Sequence, residues 1–162
     1  MIYQKDLDIA QKQQAENRKL YSRLKKKKPT NLDNVVHTLH QEVFEEIDCL
    51  KCANCCKTTS PIFTDRDIDR IAKRLKMRPS DFIAKHLHLD EDNHYVLNQS
   101  PCLFLDADNY CSIYNDRPTA CKEYPHTNRV RFYQVSDLTY NNTFICPAVS
   151  RITERLKQIF LD

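Results

Sequence analysis

A mainly helical α+β fold with short strands is the class that this sequence of 162 residues predicts. Three observations carry it. Apolar residues recur at helical spacing over most of the chain, a few short apolar runs flank an Asp/Asn turn, and eight cysteines supplement a modest core. The length suits one domain with a short appendage. Hydrophobic residues make up 41% and charged residues 29%, so a packed core is expected, while a mean hydropathy of -0.66 keeps that core small.

The elements follow in order. Segment 1–27 reads as a polar helix with a weak apolar seam at Tyr3, Leu7, Ala10, Tyr21 and Leu24, interrupted by Gln14 and Asn17. Residues 1–30 carry nine Lys or Arg against three acidic residues, whereas 31–162 carry sixteen against nineteen. The first thirty residues are therefore expected to form a basic helical arm, and 31–162 the domain proper. The run Lys25 to Lys28 suits the negative end of a helix dipole, which accounts for it without a nucleic-acid partner.

After Pro29, the spacing of Leu32, Val35, Val36, Leu39, Val43 and Ile47 predicts an amphipathic helix over 31–47. Thr64, with Asp67 three residues on, opens a helix burying Ile68, Ile71, Ala72 and Leu75. Arg78-Pro79 ends it, and Ser80 is read as the cap of a shorter helix with Phe82, Ile83 and Leu87. Short strands are expected at 95–97, 103–105 and 110–114. The stretch 130–135 fits neither pattern. Cys146-Pro147 opens a final helix with Val149, Ile152, Leu156, Ile159 and Phe160 on one face, proline being suited to a first turn.

Glycine is absent, where average usage would give roughly eleven. Gly-rich dinucleotide fingerprints, phosphate loops and nucleophile elbows all need backbone at positive φ or pressed against a ligand, so those chemistries are excluded. Turns must use Asn, Asp and Pro, as at Asp106 to Asn109 and Asn141 to Asn142.

The cysteines are Cys49, Cys52, Cys55, Cys56, Cys102, Cys111, Cys121 and Cys146. The start of the chain has no apolar leader pattern and no run is long enough to span a bilayer, so a cytoplasmic protein without membrane contact is expected. In a reducing compartment, close thiols point to metal; in an oxidising one the same eight read as four bridges. Cys49, Cys52, Cys55 and Cys56 lie within eight residues, at spacings that let a tight turn aim sulfurs inward. Cys102, Cys111, Cys121 and Cys146 add four more, enough for two tetrahedral sites or one site and one cluster. All eight are candidate ligands for zinc or iron. The C-x2-C-x2-C run with a distant Cys-Pro also echoes ferredoxin ligation, through Cys49, Cys52, Cys55 and Cys146, so a 4Fe-4S cluster stays in view.

The chain resembles the YkgJ-like cysteine-cluster family on Cys49 to Cys56, the Thr-Asp-Arg-Asp-Ile at 64–68, the Pro-Cys-Leu-Phe-Leu at 101–105 and the Cys-Ser-Ile-Tyr at 111–114. Arg117-Pro118 with Cys121, Tyr124-Pro125 and Cys146-Pro147 complete the match, which covers about residues 45–160. The resemblance implies zinc or iron chelation, in some descriptions an iron–sulfur cluster. The modest core and the eight cysteines together lead to the expectation of a small cysteine-rich, metal-stabilised domain. A related cluster occurs in flagellin lysine methylases, so an accessory or enzymatic role linked to them is a second reading; a metal-stabilised interaction module using the basic arm is a third. For catalysis, Asp116, Glu123 and His126 are the acid–base candidates beside the second cysteine group, and Arg117 is a candidate to neutralise thiolate charge or pair with a carboxylate. Residue types alone leave the enzyme question open.

Overall fold

The computed structural model describes residues 1–161. In chain order its helices are α1 (Gln4–Lys12), α2 (Gln14–Lys27), α3 (Leu32–Glu46), α4 (Cys49–Cys52), α5 (Asn54–Thr58), α6 (Asp65–Arg74), α7 (Pro79–His86), α8 (Thr119–Glu123), α9 (Ser136–Asn142) and α10 (Pro147–Phe160). One antiparallel pair, β1 (Leu87–Leu89) and β2 (Tyr95–Leu97), is the sheet, with Leu87 opposite Leu97 and Leu89 opposite Tyr95. The protein is therefore mainly helical α+β.

Two compact units divide the chain: residues 1–52 with 125–162, and residues 53–124. In the first unit, Leu20, Tyr21 and Leu24 of α2 share a core with Leu32, Val36, Leu39 and Val43 of α3 and with Ala148, Ile152 and Leu156 of α10. Each large side chain so buried stabilises by about 1.5–3 kcal/mol. The Tyr21 hydroxyl lies 2.6 Å from Thr153 Oγ1, which satisfies a phenol that would otherwise be a buried polar orphan. Arg151 ties α10 to α1 through Asp6 at 2.8 Å and to α3 through Glu46.

In the second unit, α6 begins with the capping box expected of Thr64 and Asp67. Its Ile68, Ile71 and Ala72 pack with Phe63, Phe82, Leu87, Leu97, Phe104 and Ile113. Phe82 is the hub, with ring centroids 6.2 Å from Phe63 and 6.4 Å from Phe104.

Several local expectations change. The first helix breaks at Gln13, giving α1 and α2, and Asn17, read as an interruption of the seam, is itself buried. Arg78 rather than Ser80 caps α7, with Pro79 in the first turn. Residues 103–105 and 110–114 form a single bridge between Leu105 and Cys111 rather than two strands. Asn141 and Asn142 end a helix instead of making a turn, and 132–135 is a 3-10 segment. Turns without glycine are made by Lys28, Ala53, Lys76, Asn93, Asn109, His126 and Arg131, all at positive φ.

Candidate metal centre

Local backbone positions the thiols before any ion is considered. Asp48 accepts the N–H groups of Leu50 and Lys51 and starts α4, which carries Cys49 and Cys52. Ala53, at φ 46, turns the chain into α5 with Cys55 and Cys56. The Cys102 N–H binds the Cys56 carbonyl at 2.8 Å, bringing the loop 101–111 against α5. The Asp106 to Asn109 turn then reverses the chain, as its residue types predict, and pairs Leu105 with Cys111. Cys121 sits on α8, whose first residue is held by Asp67.

Within the second unit, Cys56, Cys102, Cys111 and Cys121 are close enough to act on one another's charge. Burial, then the charges of Cys56, Cys102 and Cys111, push the Cys121 thiol up to about 12. Burial raises Cys102 and Cys111 as well, against backbone N–H groups of Phe104 and Leu105 at the first sulfur and of Ile113 at the second. Cys56 runs the other way: its hydrogen bond with Cys55 and the Arg117 guanidinium bring it down to about 7 despite burial.

Within the first unit, Cys146 stands before Pro147 at the start of α10, near Cys49 and Cys52. Burial pushes it up to about 12, the Val149 and Ala148 N–H groups oppose that, and the Cys49 and Cys52 charges add to it. None of the eight cysteines is in a disulfide.

This is how grouped thiols behave before an ion binds. Burial first, and then repulsion between thiolates, favours the protonated form of Cys102, Cys111, Cys121 and Cys146 while Cys56 runs the other way, and a divalent cation reverses the balance by coordinating and deprotonating thiols. Backbone N–H groups aimed at sulfur serve the charged form, so the donor set fits a thiolate-bound metal. By the stricter measure of three ligand atoms all within 4.8 Å of one another, the group among the described residues is Asp90, Asp92 and His94 rather than a cysteine set. The sulfurs thus form a neighbourhood rather than a closed coordination shell. The Asp90 trio owes its shape to the hairpin turn, in which Asp90 accepts the N–H groups of Asp92 and His94.

A family model described as "CxxCxxCC: Putative zinc- or iron-chelating domain" matches residues 48–146. The chain belongs to the CxxCxxCC family. No curated protein and no solved structure matches it significantly. No helix among the described residues is long and apolar enough to cross a membrane.

In this CxxCxxCC protein the remaining polar candidates are placed as follows. Asp116 pairs with Arg74 at 2.8 Å. Glu123 is exposed and His126 is half-buried at positive φ. His37 binds the Arg129 carbonyl, His40 the Thr127 hydroxyl and His88 the Asn98 side chain. Sequence reasoning missed the N–H groups that face the sulfurs, although N–H donation two and three residues after a cysteine is a turn feature that could have been sought. It also missed Asp67 as the support of α8, because nothing local relates residue 67 to residue 119.

Proposed function

We propose that the protein binds zinc or iron through cysteine thiolates, with Cys56, Cys102, Cys111 and Cys121 enclosing one ion, and that the centre is structural or redox-active. The observation that carries this reading is the backbone pairing inside one compact unit, with the Cys102 N–H on the Cys56 carbonyl at 2.8 Å and the Leu105–Cys111 bridge, and it is supported by the charge that these sulfurs exert on one another. Closing of these four sulfurs on one ion would give a fully thiolate shell without an open position, which suits a staple or an electron carrier better than hydrolytic catalysis. Cys49, Cys52 and Cys146 supply ligands to a second centre, in which the Cys-Pro step and the C-x2-C spacing favour iron–sulfur chemistry as the second reading.

Purification without oxygen, followed by zinc, iron and sulfide analysis, tests both. Colourless protein with stoichiometric zinc supports the structural reading. Brown protein with iron and sulfide supports the redox one. Protein that holds neither metal in stoichiometric amount sinks the proposal. A reducing compartment is the setting in which such thiols persist.

A further inference from the structure

Cations of the first compact unit gather around the turn from α2 to α3. Lys25, Lys26 and Lys27 close α2 and Lys28 caps it, while exposed Arg129 and Arg131 lie on the segment held against that turn. The helix dipole accounts for lysines at the end of α2 but not for the two arginines, which belong to no helix. We infer that this end of the unit docks on an anionic lipid surface, its lysines and arginines facing phosphate headgroups and Val130 entering the apolar boundary beneath them. The inference is independent of which metal the cysteines hold.

Residues 129–133 are pinned from several sides. The Arg131 and Phe132 N–H groups bind the Asp33 carboxylate in the first turn of α3 at 2.8 and 2.9 Å, and the Arg129 carbonyl lies 2.8 Å from His37 Nε2. Phe132 is fully buried, its ring centroid 6.5 Å from that of Tyr21 on α2. Between these anchors Val130 is 70% exposed. A lone exposed valine is ordinary on a protein surface. One set between two exposed arginines on a fixed segment, beside four lysines, joins the two attractions that hold a protein to an anionic bilayer surface, apolar burial and charge.

Acidic side chains do not neutralise the patch. Asp137 pairs with Lys25 at 2.7 Å, and Asp33 is turned to backbone N–H groups. Arg129 donates to neutral acceptors, the Val130 carbonyl and the Gln134 side chain, each at 3.2 Å. Among the described residues, no ion pair engages Lys26, Lys27, Lys28, Arg129 or Arg131. Lys28 Nζ sits 4.8 Å from the Tyr133 ring centroid, over the aromatic face on which a base of single-stranded nucleic acid would stack. The side chain left exposed is aliphatic, which favours lipid over nucleic acid. Contact of this peripheral kind needs no spanning helix.

The test sediments full-length protein with vesicles of phosphatidylcholine alone and of equal parts phosphatidylcholine and phosphatidylserine, at low and high salt. Folding is followed by circular dichroism. Wild type should sediment with the mixed vesicles and not with phosphatidylcholine, and high salt should weaken the binding. Lys26→Gln combined with Lys27→Gln should bind about tenfold more weakly. Val130→Ser, which keeps every charge, should bind roughly threefold more weakly. The chain contains no tryptophan, so Val130→Trp carries a single reporter. Its emission should move to shorter wavelength on the mixed vesicles and be quenched by brominated acyl chains.

Wild type that stays in solution with the mixed vesicles overturns the inference. So does an unchanged tryptophan emission, or Val130→Ser binding as well as wild type, since either would leave a purely ionic surface suited to an acidic protein. A DNA oligonucleotide bound more tightly than the mixed vesicles marks a nucleic-acid surface and overturns it as well. If the double lysine variant does not fold, the emission of Val130→Trp, in which no charge is altered, still decides.

Discussion

Thr119 donates both its backbone N–H and its hydroxyl to one carboxylate oxygen of Asp67, each at 3.1 Å. The other oxygen accepts the Thr64 N–H that completes the α6 cap, and Arg70 adds an ion pair at 2.9 Å. One buried carboxylate thus starts two helices, α6 and the α8 that carries Cys121. Burial alone would raise its pKa, and the hydrogen bonds from Thr64, Arg70 and Thr119 more than reverse that. Asp67→Ala should cost about 3 kcal/mol, since it strands several buried donors and the Arg70 charge. Urea unfolding of the metal-loaded protein reads this directly, and a loss below about 1 kcal/mol would remove Asp67 from its place as the support of α8.

Single cysteine replacements should sort into sets by the ion they release. Cys102→Ser and Cys121→Ser should each lose the same equivalent of metal, and the double variant no more than either alone. Cys146→Ser should lose metal that Cys102→Ser retains. Structural zinc sites are worth about 10–16 kcal/mol, so chelation should lower the melting temperature sharply. Metal content by mass spectrometry under native conditions checks the assignment. Loss of all metal from every variant would contradict separate sets.

Helix α6 ends in a two-bond cap, with the Met77 N–H on the Ala72 carbonyl and the Lys76 N–H on the Lys73 carbonyl. Lys76 occupies the left-handed position of that cap at φ 56, where glycine is preferred and a side chain costs about 1–2 kcal/mol. Its side chain is exposed. Lys76→Gly should therefore stabilise the protein by about 1 kcal/mol, less the added freedom of the unfolded chain. A lower denaturation midpoint in the variant would show that the lysine compensates elsewhere.

His40 binds the Thr127 hydroxyl at 2.7 Å and lies against Phe44, with the rings tilted by 42° and their centroids 4.6 Å apart. Burial, reinforced by the neighbouring His37, holds its pKa below the usual 6.5. The unfolded chain then binds the proton more readily. The stabilisation is complete above the unfolded value of 6.5 and is lost as pH falls through the lower folded value. Between about pH 7.5 and about pH 5.5 wild type should lose more stability than His40→Gln, and comparing the two cancels any acid-driven release of metal that they share. Parallel pH profiles would exclude His40 as the cause.

What could be read from the chain alone was whatever short-range order expresses. Helical spacing identified α3, α6 and α10, the Thr64 and Asp67 pair marked a capping box, and Asp106 to Asn109 announced a turn. The dense Cys49 to Cys56 run announced metal chemistry in the same way, since four thiols in eight residues have few other uses. Strand β1 was hidden because its three residues continue the pattern of α7 and become a strand only when β2 pairs with them. The break at Gln13, the burial of Asn17 and helix α9 were hidden for a related reason: packing against distant segments decides them. Grouping of the later cysteines depended most on the fold. Cys56 and Cys102 lie far apart along the chain, and only hydrogen bonding between their backbones, with Asp67 holding α8, brings the sulfurs into one electrostatic neighbourhood.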